Sequence, residues 1–268
     1  MDNLNKYVPN VSFELIPISE LVSSQEYQRR LSRRHIERMV ENFNILQVNP
    51  VKVSRRNGLN YVTNGQHTIE TIAAVSGSRE TLVWCMVSEG LTYKQEAEIF
   101  AQQQEYTKSL SPFEIFTAHI QADSDKHIII KDLVEQCGLR IQRSTGNGCV
   151  CAVSALTEIF DKGGYEGLER TLRLIVKTWE GDSNSLKSCM LKGVALLLFT
   201  FGESLQDDLF AERLGSISAR EIARTARERS GGTIGYSETM LLLYNKKKKS
   251  TLSMTRLYKP NRKENAST

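Results

Sequence analysis

Apolar and polar positions change rhythm along the chain, and the changes mark out its elements. "SFELIPI" has the composition of a short strand. Ser32 then stands as an N-cap before "RRHIERMVENF", where Ile36, Met39, Val40 and Phe43 recur at i, i+3, i+4 and i+7 and predict a helix with one apolar face. "NPVKVS" and "LNYVTN" read as strands on either side of "RRNG", whose Asn57-Gly58 is a hairpin turn signal. A helix should follow from near Gln66 to Ser76-Gly77, with Ile69, Ile72 and Ala73 inward, and then "TLVWCMV" as a buried strand.

Two further helices carry their own start signals. Thr92 with Gln95 has the spacing of a capping box ahead of "YKQEAEIFAQQQ". Ser111, Pro112 and Glu114 supply an N-cap, a proline at the first helical position and a reciprocal carboxylate, so "LSPFEIFTAHIQA" should start sharply. Polarity peaks at "ADSDKH", where a domain boundary is expected. Beyond it the pattern is mainly helical, through "IIIKDLVEQCG", "AVSALTEIFDK", "GLERTLRLIVKTW", "LKGVALLLFTFGESL", "ISAREIARTARERS" and "SETMLLLYN". One interruption, "LRIQRSTGNGCVCAV", reads as a hairpin turning at Thr145-Gly146-Asn147-Gly148. It is either part of a small winged unit offering Arg140 and Arg143 to DNA or a decoration on a helical bundle. No internal repeat is present.

Composition narrows the class. The 268 residues are 40% hydrophobic and 25% charged, which fits one large or two modest globular domains. No apolar run is long enough to span a bilayer, and the start, "MDNLNKYVPN", lacks the layout of a secretory signal, so the expected location is cytoplasmic. Five cysteines with no C-x-x-C spacing argue against a disulfide framework and a zinc site, and favour buried thiols.

The formal charge is +4, and its distribution says more than its sign. "QRRLSRRHIER" holds Arg29, Arg30, Arg33, Arg34 and Arg38 against Glu37 alone. The tail holds Lys246, Lys247, Lys248, Lys249, Arg256, Lys259, Arg262 and Lys263 with no acid between them. Such blocks neutralise phosphates, or they are simply solvated.

The candidate chemistry sits at "YVTNGQHTIETI". A strand stops at Asn64-Gly65 and a helix begins at once with Gln66-His67-Thr68. A helix N-terminus presents backbone N–H groups that favour an anion. The alternative is a turn with a satisfied histidine beside it.

Four features in order, covering roughly residues 12 to 122, give the chain a resemblance to the ParB/sulfiredoxin superfamily, with a loop variant of the D-G-Q-H-R type. They are "ELIPISELVSSQEYQRR", "HIERMVENFN", "NPVKVSRRNGLNYVTNGQHTIETIAA" and "EIFAQQQEYTKSLSPFEIF". The resemblance implies an α+β fold: a small mixed sheet with helices over 1–122, followed by a mainly helical domain over 123–245 with a DNA-binding or dimerisation role, and a basic tail over 246–268. It implies that Gly65 lets the backbone approach a phosphate while Gln66, His67 and Thr68 line the loop. Gln28 and Arg30 match the family's glutamine and arginine after the first strand, and Gln103 and Gln104 match its E-N motif.

The departures limit the chemistry. Gln66 stands where sulfiredoxins carry their nucleophilic cysteine, and an amide is neither nucleophile nor base. Thr68 replaces an arginine, Asn64 replaces an acid, and Gln103 replaces the acid associated with magnesium, for which an amide is a poor substitute. The reading is a ParB-like, DNA-associated protein of a phage or mobile element. It would bind a nucleotide, CTP or ATP with or without Mg2+, or a DNA phosphate, in the first domain. DNA would lie on Arg29, Arg33, Arg34, Arg140, Arg143 and Lys246 to Lys249. The implied partners are DNA, a nucleotide and a second copy of the chain, with no membrane and no resident metal. The alternatives are a nucleotide-dependent enzyme (triphosphatase, phosphotransferase or nuclease), which the amides disfavour, and a protein-interaction module with a relic pocket.

Overall fold

The structure, a computed structural model, describes residues 9–23, 26–106, 109–246 and 251–258. It is α+β and divides into two compact units, 1–108 and 109–268.

The first unit is built on a five-stranded mixed sheet in the order β1-β5-β3-β4-β2. Strand β1 (Val11–Pro17) pairs antiparallel with β5 (Leu82–Glu89), which runs parallel to β3 (Val51–Arg56). β3 and β4 (Leu59–Asn64) form the hairpin, turning through Asn57 at φ 53° and Gly58 at φ 76°. Positive φ at both central residues is what a two-residue turn of the primed kind demands. The short β2 (Leu21–Val22) closes the edge parallel to β4.

Helix α1 (Arg33–Glu41) starts where Ser32 caps it, the Ser32 hydroxyl accepting from the His35 amide at 3.4 Å. Helix α2 (Gln66–Ser76) ends at Gly77 in the left-handed conformation. It lays Ile69 and Ile72 on a sheet core of Ile16, Val51, Val53, Val62 and Val83. The stripe on α1 is only half-buried, and no residue of that helix is fully buried.

Strand β5 departs from the expectation that it is buried. Val83, Cys85 and Val87 face the core, but Leu82 and Trp84 point the other way and Trp84 is 56% exposed. Its neighbours on β1, Phe13 and Leu15, are exposed too, since the register sets Leu15 opposite Trp84. The run reads as continuous because apolar residues occupy both faces of the strand, while only one face meets the core. Helix α3 (Tyr93–Tyr106) takes the Thr92–Gln95 box as expected, the Thr92 amide donating to Gln95 Oε1 at 2.9 Å.

The second unit is helical. Helix α4 (Pro112–Gln121) opens with the full Ser111–Glu114 capping box and places Phe116 in the helical core. The polar stretch after it is a tight connection, with Asp123 at φ 52°, into α5 (Asp125–Gln136). Helix α6 (Val153–Trp179) is two helices joined at a kink at Gly164. It packs against α7 (Ser188–Phe201), α8 (Asp207–Gly215) and, through α7, α10 (Gly232–Asn245), with α9 (Ala219–Glu228) held on α10.

The expected hairpin at 140–150 is not one. β6 (Arg140–Ile141) and β7 (Cys149–Val150) run parallel. The loop between them is carried away by bonds to the segment after α6: the Gly148 amide donates to the Gly181 carbonyl at 2.8 Å, and Asn147 Oδ1 accepts from the Ser183 amide at 3.1 Å. All five cysteines are free thiols; Cys85 and Cys149 are buried and the other three are half-buried. Among the described residues no helix is long and apolar enough to cross a membrane.

Candidate functional site

The site begins at the end of β4, where Gly65 adopts φ 107°. A Cβ there would lie 3.3 Å from Val51 Cγ1 and 3.4 Å from Val51 Cα, so both the conformation and the space ask for glycine. The sharp bend leaves the amides of Gln66, His67 and Thr68 ahead of the first helical bond, which Ile69 makes to the Gly65 carbonyl at 3.0 Å. They open toward a cleft of about 530 Å³.

Its other wall is the segment leading into α1. Gln28, Arg29, Arg30 and Ser32 line it, with His35 and Met39 of α1 and Phe100 of α3. Two guanidinium groups therefore share the cleft with a helix N-terminus, and no carboxylate lines it. That combination favours an anion.

Hydrogen bonds hold the two walls together. Gln28 Nε2 donates to the Val62 carbonyl. Gln66 Nε2 donates to the Arg29 carbonyl at 2.6 Å, which fixes the amide's orientation and leaves Gln66 Oε1 buried without a partner. Gln66 is only 9% exposed, so this orphaned acceptor is costly unless something donates to it.

His67 Nε2 accepts from the Ser32 amide at 3.2 Å, so the ring ties the start of α1 to the start of α2 and, when neutral, carries its proton on Nδ1. The His35 ring stands edge-on at 5.1 Å. Burial first, then the charges of His35 and Arg29, push the His67 pKa down. A depressed folded-state pKa means the unfolded chain binds the extra proton more readily. The contribution is complete above the unfolded value of about 6.5 and is lost as pH falls through the lower folded value. The urea midpoint of wild type is expected to fall more steeply between pH 7.5 and pH 5 than that of His67→Gln, and superimposable profiles would contradict the role.

The remaining sequence-identified residues are dispersed. Gln103, half-buried on α3, is not among the residues lining the cleft, and the Gln104 side chain lies outside the described part of the structure. Arg33 and Arg34 are exposed on the first turn of α1. Arg140 is exposed beside Cys149, and Arg143 pairs with the capping carboxylate of Glu114 at 3.0 Å. Lys246 caps the end of α10, while Lys247, Lys248 and Lys249 lie outside the described residues. Glu70 pairs with Arg79 at 3.0 Å, away from the cleft. Sequence reasoning missed Ser32, His35 and Phe100 as lining residues. The capping serine of α1 was the available signal, since a helix start aimed at a second helix start places its cap between them.

A mixed sheet with a basic, glycine-led cleft, joined to a helical unit, is thus the kind of protein the chain folds into. It belongs to a family of unknown function (DUF6551), whose model matches residues 22–255. None of the curated proteins compared with the chain matches it. Among solved structures, it is similar to the C-terminally truncated chromosome-partitioning protein ParB from Caulobacter crescentus complexed with CTP-gamma-S, at 11% identity and a TM-score of 0.36, over 85% of this chain and 99% of that one.

Proposed function

We propose that the cleft between Arg30 and the Gly65 bend binds a nucleotide, its phosphates on the amides of Gln66 to Thr68, and that the protein is a DNA-associated, ParB-like protein. The observation that carries the reading is the pairing of an acid-free cationic cleft with a buried acceptor lacking a donor. A phosphate satisfies the amides and guanidinium groups but offers no hydrogen to Gln66 Oε1. A sugar hydroxyl or a base amine does, so one nucleotide meets both demands where a bare phosphate meets one. Arg30 is exposed and makes no ion pair among the described residues, so its charge is available. Mg2+, if it accompanies the nucleotide, would meet amides rather than carboxylates in this cleft, which disfavours metal-assisted hydrolysis.

A thermal-shift series with CTP, ATP and GTP, each with and without Mg2+, tests the reading. At least one triphosphate is expected to raise the melting temperature in proportion to its occupancy, and Arg30→Ala should abolish most of the shift while leaving the ligand-free melt unchanged. No shift with any of the three would contradict it. The exposed sheet face of Phe13, Leu15, Leu82 and Trp84 favours a second reading, a protein-interaction module, in which that face rather than the cleft is used.

A further inference from the structure

Outside the cleft, the surface with the most concentrated unsatisfied charge is one face of α9. Arg220, Arg224 and Arg227 recur at i, i+4 and i+7, so they form a stripe along one side of the helix. All three are exposed, and with Ser218 and Glu221 they line a depression of about 580 Å³.

Two observations separate this stripe from an ordinary solvated face. The first is its lack of partners. Elsewhere in this unit exposed basic residues on helices are answered by acids: Lys131 by Glu135, Lys162 by Glu158, Arg173 by Glu169, and Lys177 by Asp208. On α9 Glu228 stands four residues beyond Arg224, the right distance for such a pair, yet among the described residues no ion pair involves Arg220, Arg224 or Arg227. The charge is left outward.

The second is how the helix is seated. Its inner face is small and apolar, with Ala219, Ile222, Ala223 and Ala226 all buried. α10 approaches so closely that a Cβ on Gly235 would lie 2.8 Å from the Ala226 carbonyl oxygen. Only the three residues Ser216–Ser218 separate α9 from α8. That connection is pinned by Trp179, whose indole N–H donates to the Ile217 carbonyl at 3.1 Å, and by Ser218, whose hydroxyl caps the helix through the Glu221 amide at 3.2 Å. The acids at the start of α8 are already neutralised, Asp207 by Arg170 and Asp208 by Lys177. Two short helices joined by a three-residue turn, the second rigidly backed and basic outward, have the build of a helix-turn-helix.

We propose that α8 and α9 form a helix-turn-helix that docks on double-stranded DNA, with Arg220, Arg224 and Arg227 of α9 contacting it in the major groove. Ten residues of helix span roughly 15 Å, a length that fits a groove about 12 Å wide. Guanidinium groups suit both phosphate oxygens and guanine edges. This deepens the DNA-associated part of the function proposed above and names its contact surface, but it does not depend on the nucleotide cleft.

The test is fluorescence anisotropy of the full chain with a labelled 30-base-pair duplex, without nucleotide, across a salt series. The comparison is wild type against the triple variant Arg220→Ala, Arg224→Ala, Arg227→Ala, whose fold is checked by its melt. Wild type is expected to bind with a clear salt dependence. The variant should bind at least about tenfold more weakly at low salt and lose about 3 from the slope of log affinity against log salt. Failure of wild type to bind the duplex, equal binding and slope in the variant, or preferential binding of single-stranded RNA would each overturn the assignment. None of these outcomes bears on the cleft, which is read separately by nucleotide titration.

Discussion

Replacing Arg56 with alanine is expected to destabilise the sheet-bearing unit by about 3 kcal/mol, because it strands a carboxylate. Glu96 on α3 is 0% exposed, and its charge is answered by Arg56 Nε at 2.8 Å, with the Tyr27 hydroxyl at 3.4 Å. The Arg56 guanidinium also lies over the Tyr61 ring, 3.8 Å from its centroid. Burial first, and then the Glu96 charge, push the Tyr27 pKa up to about 12, so the phenol stays protonated and remains a donor. Without Arg56 that phenol cannot neutralise the carboxylate. The loss falls at the lower end of the range for broken buried pairs because water can enter where the arginine was partly exposed. The double variant Arg56→Met, Glu96→Gln should recover most of it. Urea melts checking this would contradict the account if Arg56→Ala cost less than about 1 kcal/mol. The cluster also matters to the site. Tyr27 packs on Phe100 at 5.6 Å and precedes Gln28, so loosening it slackens the wall that carries Gln28 to Arg30.

Phe210→Ala is expected to cost the helical unit about 3 to 5 kcal/mol. Phe210 is fully buried, its ring edge-on to Trp179 at 6.0 Å and tilted against Tyr244 at 6.3 Å. Truncation opens a cavity at the meeting of α6, α8 and α10, which cannot collapse without moving all three. Each unit holds one of the chain's two tryptophans, Trp84 in the first and Trp179 in the second. In a Trp84→Phe background, fluorescence therefore follows the helical unit alone, which matters because a two-unit chain need not melt in one step. A loss below about 1 kcal/mol would show that Phe210 is not a keystone of that core.

Local signals carried most of the elements. Asn57-Gly58, the Thr92–Gln95 and Ser111–Glu114 boxes, and Gly77 act within a few residues, so the hairpin and the ends of α2, α3 and α4 were legible. The α+β class followed from them. What failed is what depends on distant partners. The parallel pairing of β6 and β7 is set by residues 181–183, and the bare face of β5 by which helices reach the sheet. Helix α8 went unread because it is one short element between Gly202 and Gly215, with only Phe210 and Leu214 to mark its inner face. Missing it hid the paired arrangement with α9, although the α9 helix itself was legible. At the cleft, the residues of the Gly65 bend and Arg30 were singled out from motif order, and they do line one cavity. The bond from the Ser32 amide to His67 and the orphaned Gln66 Oε1 join residues more than thirty positions apart, and no local pattern signals them.

The central claim is that Arg30 and the amides after Gly65 grip the phosphates of a nucleotide. Calorimetric titration of CTP, ATP and GTP into the wild-type chain and into Arg30→Ala tests it most directly. The account predicts saturable binding of at least one triphosphate by wild type and at least about tenfold weaker binding by the variant, with the two chains melting alike in the absence of ligand. Absence of saturable binding by wild type, or equal affinity in the two, would contradict it.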